Sequence, residues 1–419
     1  MIPQQVDIAI IGSGLAGSAL ACALGGLGLR VALIEAQPLS LQWPQLKDDV
    51  HGFDPRVSAL TESSRAWLEQ LGAWPLVAAR RLSPYRAMEV WDGEGTGAIH
   101  FHAEAVNQPT LGHIVENGLL QTALLHALQH HRDVQVLSPA RVADFERQGD
   151  RVVVRFAPSD SSEEQRGSGA QRELSCRLLI GADGANSRVR DWAGLKLREW
   201  DYGHTAIVAT VQTELPHGAS ARQIFRREGP LALLPLRGAA ANADHFCSIV
   251  WSTSPVEADA LMALDDAAFA ATLGQEFQHK LGAITATSQR FSFPLKARHA
   301  IDYVAANVAL IGDAAHTIHP LAGQGINLGF LDAQALAEEI RRAVQRGLDP
   351  ADPQALARYQ RRRKGDNWAV LGAMEGFKRL FGTTALLPRL LRNTGMNAFD
   401  RIEPIKRLLI RQAMRVGPG

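Results

Sequence analysis

An α/β chain with an opening parallel sheet, a second and mainly antiparallel sheet, and a helical C-terminal region is what the sequence predicts, on three observations. Val6 to Ile11 is a short apolar run, followed by glycines at 12, 14 and 17, a helical stretch from about Leu15 to Leu27, and a β-rich run from Arg30 to Ile34. That order is a βαβ unit, in which the helix carries the chain back so that the strands pair in parallel. Farther on, Ala206 to Thr213, Leu231 to Leu236 and Phe246 to Trp251 are β-like runs with a helix only near Ala267 to His279, which suits antiparallel pairing. Beyond these, Gly325 to Arg342 and the remaining C-terminal stretch are helical by period.

The other elements follow in order. Thr61 to Leu71 is expected as a helix, capped at its start by Thr61 and stopped by Gly72. Leu76 to His102 alternates around Met88, Val90, Ile99 and Phe101 with a Gly-rich turn between, so it predicts a hairpin away from the first unit. A helix near Leu119 to His130 returns to that unit. Strands at Val152 to Phe156 and Leu174 to Ile180 flank Ser159 to Gln171, whose composition is that of a loop, and Val308 to Ile311 resumes the buried-strand pattern. The expected domains are 1–75, 103–199 and 294–345 for the parallel sheet, 76–102 and 200–293 for the second sheet, and 346–419 for the helical region.

A chain of 419 residues exceeds one ordinary core, and 46% apolar with 21% charged residues is the composition of a soluble globular protein. No apolar run reaches the roughly eighteen residues of a membrane span, and no charged segment precedes the first apolar run as an export signal requires. A cytoplasmic protein is expected. Cys22, Cys176 and Cys247 are widely spaced and suggest neither disulfides nor zinc. The net charge of +1 hides a basic C-terminal region, in which Arg361 to Lys364, Arg401, Lys406, Arg407 and Arg411 face only Asp366, Glu375, Asp400 and Glu403 from position 361 onward. Such a region suits an anionic membrane surface or an acidic partner; without aromatic interleaving or a nucleic-acid motif, nucleic acid is not expected.

Three motifs carry chemistry. Gly12-Ser13-Gly14-Leu15-Ala16-Gly17 lies between strand and helix, with Glu35 ending the next strand, which is a dinucleotide fingerprint in its proper context. The first glycine permits the tight turn, the second admits a pyrophosphate to the helix N-terminus, and the third lets helix and strand pack closely. Glu35 suits a ribose, but these residues do not distinguish FAD from NAD. The second motif is the strand Leu179-Ile180-Gly181 ending in Ala182-Asp183-Gly184, with Arg188 after it. The third is Ile311-Gly312-Asp313-Ala314-Ala315-His316, leading through Pro320 to Gly323-Gln324-Gly325-Ile326-Asn327. Asp313 at a strand end can bind a ribityl hydroxyl, and a glycine loop at a helix N-terminus offers N–H groups to a flavin edge where negative charge develops on reduction.

In this order and at these separations the motifs resemble the flavoprotein monooxygenases related to p-hydroxybenzoate hydroxylase, over nearly the whole chain. More narrowly, His316 to Gly329, with Phe293-Pro294-Leu295 before it and Tyr359, Arg363 and Asp366 after it, resembles the ubiquinone-biosynthesis hydroxylase family. Met88 to Asp92 and Leu111 to Asn117 look like its branch that hydroxylates 2-polyprenylphenol. The resemblance implies a Rossmann-like FAD-binding domain, a substrate-binding β-sheet domain, and hydroxylation at C5, ortho to the phenol oxygen, through a flavin C4a-hydroperoxide. It implies that Gly12, Gly14, Gly17 and Glu35 hold the ADP half of FAD, that Arg56 and Asn117 flank the cofactor, and that Asp183 and Gly184 serve FAD and reductant. Asp313 with Gly323, Gln324, Gly325, Ile326 and Asn327 would hold ribityl and isoalloxazine, with His316 and Pro320 near the flavin. The implied partners are a polyprenylated phenol, O2 and a ubiquinone-biosynthesis protein complex, with electrons from NAD(P)H or a protein donor.

His316 and His319 lack a third ligand at suitable spacing, so no metal is expected. Trp91 and Trp251 read as sheet-packing residues. Hydroxylation at C1 or C6, a flavoprotein dehydrogenase or prenyl reductase, and a non-catalytic prenyl-binding protein are the competing readings.

Overall fold

Four strands whose residues are buried throughout, Ile8–Ile11, Val31–Ile34, Leu178–Gly181 and Val308–Leu310, form the middle of a parallel sheet. Continuous apolar sequence is what such strands need, because helices and other layers cover both faces. Val134–Leu137 extends the sheet in parallel beyond Val31–Ile34, and Val304–Ala305 closes the other edge antiparallel. The structure, a computed structural model, describes residues 4–158, 172–238, 244–317 and 325–382, with only the backbone of 369–382, and positions 400, 402, 404, 406, 407 and 410. Ser159 to Gln171, His319, Pro320, Gly323 and Gln324, and Arg401 and Arg411 of the basic region, lie outside the described residues.

The helix after the first strand is Leu15–Leu24 and ends at Gly25, earlier than the expected Leu27. It packs on the 21-residue helix Gly325–Gln345, which in turn packs on Pro353–Gly382. Thr61 caps Glu62–Gln70 as expected, its hydroxyl accepting from the Ser64 N–H at 3.3 Å, and Gly72 leaves the helix at φ +75°.

The second sheet is ordered His316–Thr317, Phe291–Ala300, Leu197–Thr213, Phe246–Thr253, Gly229–Leu236, Ser220–Arg226, Ala87–Asp92, Ala98–His102, with Ile284–Thr287 on the side. It is antiparallel except between Ser220–Arg226 and Ala87–Asp92. Trp91 and Trp251 are buried in its core against Phe277 and Phe269. Leu197–Thr213 and Phe291–Ala300 run unbroken through positions 200 and 294, so both expected domain boundaries there fall inside long strands.

Three expectations need correction. Leu76 belongs to the short helix Trp74–Ala78, where Pro75 takes an early helical position; the hairpin itself starts at Ala87. Leu174 to Ile180 is two strands, because Arg172–Cys176 turns at Arg177 into a different sheet from Leu178–Gly181. The helix expected at Ala267 to His279 is Asp266–Glu276, capped by Asp265, and a second helix, Pro255–Ala263, precedes it behind Ser254.

Candidate functional site

The glycines of the first motif divide their labour as the fingerprint requires. Gly12 has φ +99°, and a Cβ there would lie 2.4 Å from the Ala182 carbonyl oxygen; one on Gly17 would lie 2.1 Å from the Gly12 oxygen. Those two positions are closed by packing. Gly14 meets nothing within 4 Å and is exposed at the N-terminus of Leu15–Leu24, where unpaired N–H groups and the helix dipole attract an anion.

Two clefts meet at Gly14, Ala182 and Gly184. One, of about 420 Å3, runs past Glu35, Arg141 and Arg188. The other, of about 510 Å3, runs between the two sheets, past Ser58, Asn117, Asp313, His316, Gly325 and Ile326 to a wall of Phe293, Pro294 and Leu295. The two clefts thus share the exposed helix end at Gly14, an arrangement compatible with a cofactor that carries anionic groups between two larger parts.

Glu35 reaches back into the loop, accepting from the Ser13 N–H at 2.9 Å and hydroxyl at 3.1 Å, and from the Gln37 N–H at 2.9 Å. Asp183 likewise accepts from the Ser187 hydroxyl at 2.5 Å and the Arg188 N–H at 2.8 Å, so its carboxylate fastens the turn into the helix Arg188–Trp192. Asp313 differs. Its side chain makes no hydrogen bond among the described residues and is exposed to the cleft, yet it is crowded by protein on its other sides. Desolvation there, and next the neighbouring Asp332, push its carboxyl above the usual range, while His316 opposes them.

Asn117 lines the cleft and accepts from the Ser58 hydroxyl at 2.7 Å, whereas Arg56 is exposed and, among the described residues, donates through its backbone N–H alone, to Asp54 at 2.8 Å. Asn327 turns its side chain away. It is buried, with the carboxamide oxygen accepting from the Thr61 N–H at 3.0 Å and the Ser64 hydroxyl at 2.7 Å, and the amide donating to the Ala59 carbonyl at 2.7 Å. It clamps Gly325–Gln345 to Val57–Leu60 and Glu62–Gln70, because a buried carboxamide must satisfy both ends.

Behind the cleft lies a buried polar cluster centred on Asp332, a residue absent from the sequence reading. One carboxylate oxygen accepts from His316 Nε2 at 2.5 Å and the Gly312 N–H at 3.1 Å, the other from Arg363 Nε at 2.7 Å. Arg363 also donates to Asp366 at 2.7 Å and to Asn367 at 2.8 Å, and Asn367 donates to the Tyr303 hydroxyl at 3.1 Å. Burial raises and these partners lower the Asp332 carboxyl, which ends below the usual range. The legible signal was an aspartate on the stripe of Leu328, Ala335 and Leu336, the buried face of its helix. Metal-ligand clusters of three or more His, Cys, Asp or Glu do not occur among the described residues.

A family model described as an FAD binding domain matches residues 5–373. The 3-demethoxyubiquinol 3-hydroxylase of Escherichia coli is 37% identical over 99% of this chain and 100% of its own length. Ubiquinone hydroxylase UbiL of Rhodospirillum rubrum is 35% identical over 99% of this chain and 91% of its own. Among solved structures, p-nitrophenol 4-monooxygenase PnpA from Pseudomonas putida aligns with a TM-score of 0.76 at 16% identity, covering 99% of this chain and 100% of that one, a likeness of fold alone. Together, family and relatives define an FAD-dependent monooxygenase. The chain belongs to the FAD binding domain family and, within it, to the hydroxylases of ubiquinone biosynthesis.

Proposed function

We propose that the protein hydroxylates 2-polyprenylphenol at C5, ortho to the phenol oxygen, using FAD held along the two clefts. The observation that carries the cofactor's placement is that the two clefts share the exposed helix end at Gly14, with Glu35 lining one and Asp313 lining the other. In this reading Glu35 lies at the adenosine ribose, the N-terminus of Leu15–Leu24 at the pyrophosphate, and Asp313 at the ribityl chain. The backbone at Gly325 and Ile326 lies at the isoalloxazine, beside Asn117. Bound FAD supplies activation of O2 for insertion of one oxygen atom. The protein's part is to hold the ring carbon in place and to keep water out, for which the wall of Phe293, Pro294 and Leu295 is suited.

A phenol is electron-rich ortho and para to its oxygen, so chemistry alone leaves two kinds of position open. C5 is favoured by the resemblance of Met88 to Asp92, Trp200 to Tyr202, Ala221 to Phe225 and Leu234 to Leu236 to the C5-hydroxylating branch. A second reading, attack at the remaining methoxy-bearing position, draws on the name of the Escherichia coli relative, a 3-demethoxyubiquinol 3-hydroxylase. Expression in strains lacking each ring hydroxylase separately, with mass spectrometry of quinone intermediates, decides between them. Rescue of the C5-deficient strain is expected; rescue of a C1- or C6-deficient strain without it overturns the assignment.

A hydrophobic tail would require delivery from a membrane or protein complex, and the basic C-terminal region is our candidate for that peripheral contact. Liposome flotation of the full chain, and of a truncation that retains FAD, tests it; equal flotation of the two would discard the idea.

A further inference from the structure

We propose that His316 holds the compensating proton of the cofactor cleft: fixed by Asp332 through Nε2, it binds a proton at Nδ1 when two electrons enter the bound FAD. The inference rests on FAD occupying the cleft as proposed above, and concerns charge rather than the ring position attacked.

His316 lines the cleft, and of its two ring nitrogens only Nε2 is engaged, with Asp332. Nδ1 has no hydrogen bond among the described residues. A buried carboxylate facing Nε2 fixes the proton on that nitrogen, so a neutral His316 keeps its lone pair on Nδ1. The same carboxylate accepts from Nε2–H whether or not Nδ1 carries a proton, so the ring keeps one orientation in either state.

The groups around His316 single it out. On the opposite strand it pairs with His299, which is fully buried and pushed down to about 4 by burial and then by the neighbouring His316, so His299 stays neutral. Tyr303 joins His299 at 2.9 Å, and burial pushes its hydroxyl up, so it too stays neutral. From the C-terminal helix, Arg363 balances Asp332, while Asp366 takes another edge of that guanidinium. Arg190 approaches from Arg188–Trp192 and donates to the Ala314 carbonyl at 3.2 Å. On the far wall Lys296 is paired with Glu199. Asp313, on the turn before His316, is the remaining acid in the cleft and favours positive charge nearby. Of the two adjacent histidines, only His316 has a carboxylate partner.

The balance is simple. Reduction by a dihydronicotinamide moves two electrons and one proton into the isoalloxazine, oxidises the donor to the nicotinamide cation, and adds one negative charge to the cleft. The compensating proton comes from solvent and is bound by the Nδ1 lone pair. The N-terminus of Gly325–Gln345 also faces the cleft and favours negative charge, but it cannot bind a proton.

The test compares FAD-loaded wild type with His316→Gln, without phenol substrate, by measuring the pH dependence of the FAD midpoint potential. The helix N-terminus is common to both proteins, so its contribution cancels. Two protons per electron pair should persist to about one pH unit higher in the wild type, and the variant should bind reduced FAD about tenfold less well relative to oxidised FAD. Equal proton counts and equal relative affinities overturn the proposal. Should His316→Gln retain no FAD, nitrogen NMR of wild-type protein labelled at histidine decides: Nδ1 must be unprotonated with oxidised FAD and protonated with reduced FAD. The same state in both overturns it. Failure to hydroxylate a polyprenylphenol would sink the proposed function while leaving these measurements unaffected.

Discussion

In one cleft Glu35 is already tied to Ser13 and Gln37, and Asp183 to Ser187 and Arg188; in the other, Asp313 has no such partner among the described residues and Asp332 sits hidden behind His316. The first cleft is pre-formed by its own hydrogen bonds, which lowers the ordering cost of binding. The second leaves a crowded carboxyl whose desolvation is unrelieved until a hydrogen-bonding ligand arrives. Acids named by similar motifs are therefore held differently: Glu35 and Asp183 fasten their own turns, whereas Asp313 has no such bond among the described residues.

The largest expected effect separates packing from ligand approach within a single motif. Gly17→Ala forces a Cβ to 2.1 Å from the Gly12 oxygen, so it should cost about 3 kcal/mol or more and lose FAD together with cooperative folding. Gly14→Ala meets nothing within 4 Å among the described residues, so it should melt near the wild-type temperature while binding FAD poorly. Thermal unfolding of the apoproteins with FAD titration checks both; equal loss of stability would erase the distinction.

Next comes Arg363→Met, which strips Asp332 of its guanidinium and leaves a fully buried acid held, among the described residues, by His316, the Gly312 N–H and the Asn367 amide. About 3–5 kcal/mol should be lost. Denaturant unfolding measures it, and a loss below about 1 kcal/mol would show that the cluster does not hold the cleft.

Acid sensitivity should come from the same cleft and from His113. Burial pushes His299 and His113 down to about 4, below the ~6.5 of an unfolded chain. Between those values the unfolded chain binds more protons, so stability falls as pH drops from about 6.5 to about 4, by roughly 2–3 kcal/mol for each histidine. Asp332, held low, adds a loss as pH falls further through its folded value. Urea midpoints at pH 7 and 4.5 test this; no change would mean that neither histidine is buried neutral.

The smallest expected effect contrasts the acids of the two clefts. Asp313→Ala and Glu35→Ala should each weaken FAD roughly 10- to 150-fold, the range for charge-assisted hydrogen bonds of about 1.5–3 kcal/mol. Only Glu35→Ala should also lower apoprotein stability, because only Glu35 holds the loop. Calorimetric titration with apoprotein melting distinguishes them.

The sequence by itself determined the βαβ unit, the helix after Thr61 and the antiparallel sheet, because apolar period, glycine placement and caps are local properties. It also marked the strand ends near which the cleft forms, since three glycine-and-acid turns each follow an apolar strand, although any one of them alone would read as an ordinary turn. Only the tertiary structure decided which way the polar side chains of those motifs face. Asn327 turns to Thr61 and Ala59, and Asp332 meets His316 and Arg363 across 16 and 31 positions of sequence. A buried polar group must find its partner wherever packing puts one, and that choice is written in the meeting of helices and sheets rather than in any local pattern.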